Sequence, residues 1–86
     1  MDRKDKNEDE WTPIHFAAVS GSLKVIYAMI SRGAGVDPTD KQLKTPLMLA
    51  IQNQKISTAR ALIEFGADIN FADANGNTVL MYACKH

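Results

Sequence analysis

The sequence predicts an all-α fold, a solenoid of stacked helix-turn-helix units joined by β-turn or hairpin fingers. Three observations carry this expectation. The segment Thr12-Pro13-Ile14-His15-Phe16-Ala17-Ala18 returns as Thr45-Pro46-Leu47-Met48-Leu49-Ala50-Ile51 and, worn, as Thr78-Val79-Leu80-Met81-Tyr82-Ala83-Cys84, 33 residues further on each time. The pair Gly33-Ala34 returns as Gly66-Ala67 at the same interval, and Asp-bearing turn sequences follow both. A fixed period of this size marks repeat units that cannot bury their apolar faces alone and must stack on a neighbour.

Read with this period, residues 1–6 are a charged N-terminal segment expected to be disordered. Residues 7–39 form a first unit, 40–72 a second, and 73–86 a partial third consisting of a finger and one helix. Eight of the first ten residues are charged with signs mixed, which suits a solvated terminus. Pro13 and Pro46 each follow a threonine, and a Thr cap with Pro at the first helical position is a strong helix start, because the missing N–H is unpaired there in any case. Gly21 ends the first helix. A second helix then carries Leu23, Val25, Ile26, Met29 and Ile30 at spacings suited to one buried face. Arg32-Gly33-Ala34 and Phe65-Gly66-Ala67 close the two helical hairpins, and Asp37-Pro38-Thr39-Asp40 and the stretch Asn70 to Gly76 suit projecting turns.

These residues resemble the ankyrin repeat family from about residue 7 to the end. The match covers the Thr-Pro-Leu-His-x-Ala start of the inner helix, the Gly-Ala closure and the finger Asp73-Ala74-Asn75-Gly76-Asn77-Thr78. The departures are specific. Asn7 and Glu10 replace the finger's Asp and Gly in the first unit, which predicts an irregular first finger, and Leu43 replaces that glycine in the second. Gln54 stands where Gly21 does, so a positive φ there would strain it by about 1 kcal/mol, partly relieved by Asn53. His15 gives way to Met48 and Met81; the family's histidine supports the turn by hydrogen bonding, so the resemblance implies that contact in the first unit alone. The sequence stops at His86 before a third outer helix. Two readings follow, a fragment of a longer array or a rudimentary cap, and the apolar Val79, Leu80, Tyr82 and Ala83 favour the fragment, with self-association through this uncovered face or fraying of it.

Nothing in the sequence points to chemistry. Ten basic and ten acidic residues cancel, which removes the electrostatic footprint of a nucleic-acid binder or a polybasic membrane patch. No apolar run of about 18 residues could cross a bilayer. One cysteine permits no internal disulfide, so an intracellular protein, cytoplasmic or nuclear, is expected. His15, Cys84 and His86 are too sparse for a structural zinc site, and the spacing of Cys84 and His86 points them to different sides of a helix. Cys84 is read as a small buried or half-buried apolar residue, Met29, Met48 and Met81 as core filler, and the glycines as turn residues. No enzyme activity, metal or cofactor is expected.

The resemblance implies that finger tips and inner-helix edges form a concave face that binds another protein. Carried over by position, the contacts are Trp11, Lys41, Gln42, Lys44, Asn75 and Asn77 on the fingers, with Glu8, Asp9 and Ala74 beside them. On the helix edges they are Val19, Ser20, Gln52 and Asn53, then Lys85 and His86. Trp11 is either an interface anchor or a lid over Ile14 and Phe16, and both readings stay open. A second hypothesis makes the protein the N-terminal regulatory or substrate-recruiting part of an enzyme whose catalytic domain lies beyond His86.

Overall fold

A computed structural model describes residues 10–85. The expectations for residues 1–6, and for Asn7, Glu8, Asp9 and His86, lie outside the described residues. Five helices follow in order: α1 (Pro13–Ser20), α2 (Leu23–Ser31), α3 (Pro46–Gln52), α4 (Ile56–Glu64) and α5 (Val79–Lys85). Helices α1, α3 and α5 stack in one row, with α2 behind α1 and α4 behind α3. Both predicted proline starts are observed, at Pro13 and Pro46. The second is capped by Thr45, whose side chain accepts the Met48 N–H at 3.3 Å.

Helix α3 is the centre of the molecule. Pro46 to Ala50 are all buried, because α1, α5 and α4 surround this helix on three sides. A helix that is apolar all round is one that packs all round. Ile14, Ala18, Ile26, Leu62 and Tyr82 complete the core from the neighbouring helices.

The two hairpins close as the repeat predicts. Gly33 and Gly66 take φ of 96° and 101°. The N–H of each following alanine then reaches back to Met29 and Leu62, both at 3.0 Å, so carbonyls at the helix end are satisfied by the turn. Gln54 adopts the anticipated positive φ, 60°, and the Asn53 side-chain amide donates to the Leu49 carbonyl at 2.8 Å. The irregularity expected of the first finger does not reach Glu10. Its φ of 60° matches the 62° of Leu43 and the 80° of Gly76, so three different residues hold the same left-handed turn. No strand is present among the described residues. The fingers are tight turns, closed by the Asp40 N–H on the Lys44 carbonyl at 3.0 Å and the Asp73 N–H on the Asn77 carbonyl at 2.9 Å.

Four readings of burial are corrected by the packing. Of the apolar residues assigned to one buried face of α2, Ile26 alone is fully enclosed. Leu23, Met29 and Ile30 are half-buried and Val25 is 43% exposed, since it faces the N-terminal end of the stack. Val79 and Tyr82 are not uncovered, because both turn inward against α3; Leu80, at 70% exposure, and Ala83 remain open. Met81 is exposed rather than core filler, having no following unit to enclose it among the described residues. Cys84, read as buried or half-buried, is exposed for the same reason.

Candidate functional site

Two aspartates build the fingers. The Oδ1 of Asp40 accepts the N–H groups of Gln42 and Lys44, both at 2.8 Å, and Oδ1 of Asp73 accepts those of Asn75 and Asn77, both at 2.9 Å. An aspartate that binds its own backbone two and four residues on fixes a turn without a strand. The second oxygen of each takes a side-chain donor, but from different places. Asp73 receives the hydroxyl of Tyr82, from the helix of its own unit. In the second unit the corresponding helix residue is Leu49, which has nothing to donate, and Trp11 supplies the donor from the preceding finger, its Nε1–H 2.9 Å from Oδ2 of Asp40.

Both aspartates are buried, and for Asp73 these donors bear on the charge state. Burial alone would raise the Asp73 carboxyl. The Tyr82 hydroxyl, the Asn77 and Asn75 N–H groups and the charge of Lys44 outweigh it and hold the group below its ordinary 3.8. Burial, reinforced by the Asp73 carboxylate, pushes the Tyr82 hydroxyl well above its ordinary value.

The units are also stitched to each other by polar contacts. His15 is fully buried; its Nδ1 accepts the Thr12 N–H at 2.9 Å, which leaves Nε2 to carry the proton and donate to the Lys44 carbonyl at 2.9 Å. The histidine therefore supports its own turn, as expected, and ties it to the next finger as well. The Ala74 N–H donates to the Gln42 carbonyl at 2.9 Å and joins the second finger to the third. The Asp68 N–H donates to Oδ2 of Asp37 at 2.8 Å between the unit-closing loops.

Between the first two units, fingers and inner helices enclose a groove of about 460 Å³ lined by Trp11, Val19, Asp40, Gln42, Lys44, Leu49, Gln52 and Asn53. Six of the residues expected at a contact surface, Trp11, Val19, Gln42, Lys44, Gln52 and Asn53, meet there. Ser20, Lys41, Asn75 and Asn77 are not among the lining residues. The Ser20 hydroxyl instead donates to the Ala17 carbonyl at 3.2 Å, and Lys41 and Asn75 are exposed on the fingers. The sequence placed Asp40 in a projecting turn but named neither it nor Leu49 as a groove residue. An aspartate preceding two turn residues was the available signal for the first; Leu49 carries none, since a groove floor and a core position call for the same residue type.

Trp11 is half-buried, its ring edge-to-face with Phe16 at 4.9 Å between centroids and stacked with His15 at 6.2 Å. It thus shields the first inner helix and forms one wall of the groove at once. No three His, Cys, Asp or Glu side chains stand close enough to hold a metal ion among the described residues. No described helix is long and apolar enough to cross a membrane.

Comparison with known proteins agrees with this architecture. A family model described as ankyrin repeats (3 copies) matches residues 1–73 and 29–86. The protein is 44% identical over 77 residues to Alpha-latrotoxin-Lhe1a of Latrodectus hesperus, covering 87% of its own length and 5% of the toxin. It is 32% identical over 84 residues to the B-cell lymphoma 3 protein of Homo sapiens, covering 93% of its own length and 18% of that protein. With the human transient receptor potential cation channel subfamily A member 1 it shares 30% identity over 74 residues, which are 85% of its own length and 7% of the channel. It thus spans only a small part of the length of the relatives it matches. With the repeat spacing, the stacked helix pairs and the family match in agreement, the chain belongs to the ankyrin repeat family.

Proposed function

We propose that this protein is a non-catalytic protein-binding module whose partner docks in the groove between the first and second units. One observation carries the reading: six side chains selected by repeat position alone converge on a single concave groove. Its floor offers the apolar Val19 and Leu49. Its rim offers the Lys44 ammonium and the amides of Gln52 and Asn53, a mixture suited to an extended polypeptide with one apolar anchor and nearby acceptors. Asp40 is spent on the finger, so it orients the groove rather than meeting the partner. Trp11 is a wall whose indole N–H is already committed to Asp40. Lys41, Asn75, Asn77 and Ser20 extend the surface beyond the groove. The relatives fit a modular role, since proteins named as a toxin, a lymphoma protein and a channel match this sequence over a small share of their length. Fold alone names no partner.

The test is selection of binders to the protein from a random peptide display library, followed by measurement on groove variants. Lys44→Ala and Gln52→Ala are expected to weaken the selected peptides by about tenfold or more, the effect of losing a contact worth about 1.4 kcal/mol or above, with melting unchanged. Peptides that bind both variants as tightly as the parent would place the docking surface elsewhere.

A further inference from the structure

Asn75-Gly76, at the tip of the third finger, is the one Asn-Gly pair in the sequence. Its surroundings favour a reaction of the pair with itself. Asn75 is exposed and its side-chain amide makes no hydrogen bond among the described residues, so Cγ is free to turn towards the following backbone. Gly76 has no side chain to shield its nitrogen, and a Cβ built there would meet nothing within 4 Å, so the space that a ring would need is open. The closed finger restrains the reaction, because the Gly76 N–H donates to the Asp73 carbonyl at 2.9 Å and the Asn75 N–H is held on the Asp73 carboxylate.

We propose that Asn75 is a self-modification site whose rate is set by opening of the third finger. The Gly76 nitrogen attacks Cγ of Asn75 and forms a C–N bond. The bond from Cγ to the amide nitrogen Nδ2 breaks, and ammonia leaves with the proton that the Gly76 nitrogen gave up. Water then opens the five-membered imide at one or other carbonyl and leaves either aspartate or isoaspartate at position 75. No electrons are transferred, and water is the only co-reactant. Both products place a new carboxylate beside Asp73. Isoaspartate also adds a carbon to the main chain within the turn, which displaces the Asn77 N–H from Asp73 and strains the link from Ala74 to the Gln42 carbonyl. The other two fingers lack the pair, since they carry Asp9-Glu10 and Gln42-Leu43 at the corresponding positions. This inference does not depend on what the groove binds.

The experiment is to incubate the 86-residue protein at neutral pH, folded and in urea, and to resolve asparagine, aspartate and isoaspartate at each position by peptide mapping. Conversion at Asn75 is expected to outrun that at Asn53, Asn70 and Asn77, to give both products, and to speed up about tenfold on unfolding, because a finger must first open locally. Gly76→Leu should suppress it. The second finger already holds Leu43 in the same left-handed turn, and comparison in urea makes the result independent of folding. Conversion at Asn75 no faster than at the other asparagines, or aspartate without isoaspartate, would overturn the site. Equal rates in the folded and unfolded protein would overturn control by the finger.

Discussion

At the residue scale, the two finger aspartates organise the turns among the described residues. Each is buried and accepts three donors, two from its own turn and one from an aromatic side chain. For Asp73 this makes stability depend on pH with a definite sign. The folded-state value lies below the ordinary 3.8, so the unfolded protein binds more protons in the acid range. The contribution is then complete above 3.8 and is lost as pH falls through the folded-state value. Urea midpoints taken from neutral pH downwards are expected to drop on the acid side for the parent and to drop less for Asp73→Asn. At neutral pH Tyr82→Phe is expected to cost about 1–3 kcal/mol, the penalty for removing a donor from a buried charged acceptor. An acid limb of unchanged slope in Asp73→Asn would remove this carboxylate as its source.

At the element scale, the helix ends show how one backbone demand is met by different residues. Helix α1 ends at Ser20, just before Gly21 with φ of 76°, and α3 ends at Gln52, two positions before Gln54, which holds φ of 60° at the place equivalent to Gly21. An L-residue in this region is strained by about 1–2 kcal/mol, of which a glycine's extra unfolded-state freedom would return a part. Gln54→Gly is therefore expected to stabilise the protein by up to about 1 kcal/mol, read as a higher urea midpoint at constant slope. A fall would show that packing of the Gln54 side chain outweighs its backbone strain. Helix α5 illustrates the opposite case, an element recognisable by position although its threonine is followed by Val79 in place of proline. Packing of Val79 and Tyr82 on α3 holds it in place.

At the scale of the whole molecule, the two ends of the stack are the two halves of its internal interface. Pro13 and Phe16 are exposed at the N-terminal end, while their counterparts one unit on, Pro46 and Leu49, are buried. Met81 is exposed on α5, while its counterparts His15 and Met48 are buried. A cleft of about 690 Å³ including Phe16, Val25 and Met29 marks the N-terminal end. Faces so matched suit head-to-tail contact between copies, which has no closing symmetry and so grows with concentration. Sedimentation velocity over a concentration series is expected to show association that either Phe16→Glu or Met81→Glu reduces. A monomer at every concentration would exclude contact through these ends.

How far the sequence could be read follows from which features are local. The 33-residue period, the Thr-Pro starts and the Gly-Ala closures are local signals tied to backbone geometry, and they determined the fold class, the helix starts at Pro13 and Pro46 and the strained Gln54. The same periodicity ordered the expected contact positions, and Trp11, Val19, Gln42, Lys44, Gln52 and Asn53 among them line one groove. Burial was less legible. Val25, Met81 and Cys84 are apolar residues in repeat phase, and phase says which way a side chain points without saying whether another unit stands there to cover it. The hydrogen bond from Trp11 to Asp40 joins residues a unit apart. It exists because Leu49 cannot donate where Tyr82 does one unit later, so that choice of donor was made by stacking, beyond the reach of any local pattern.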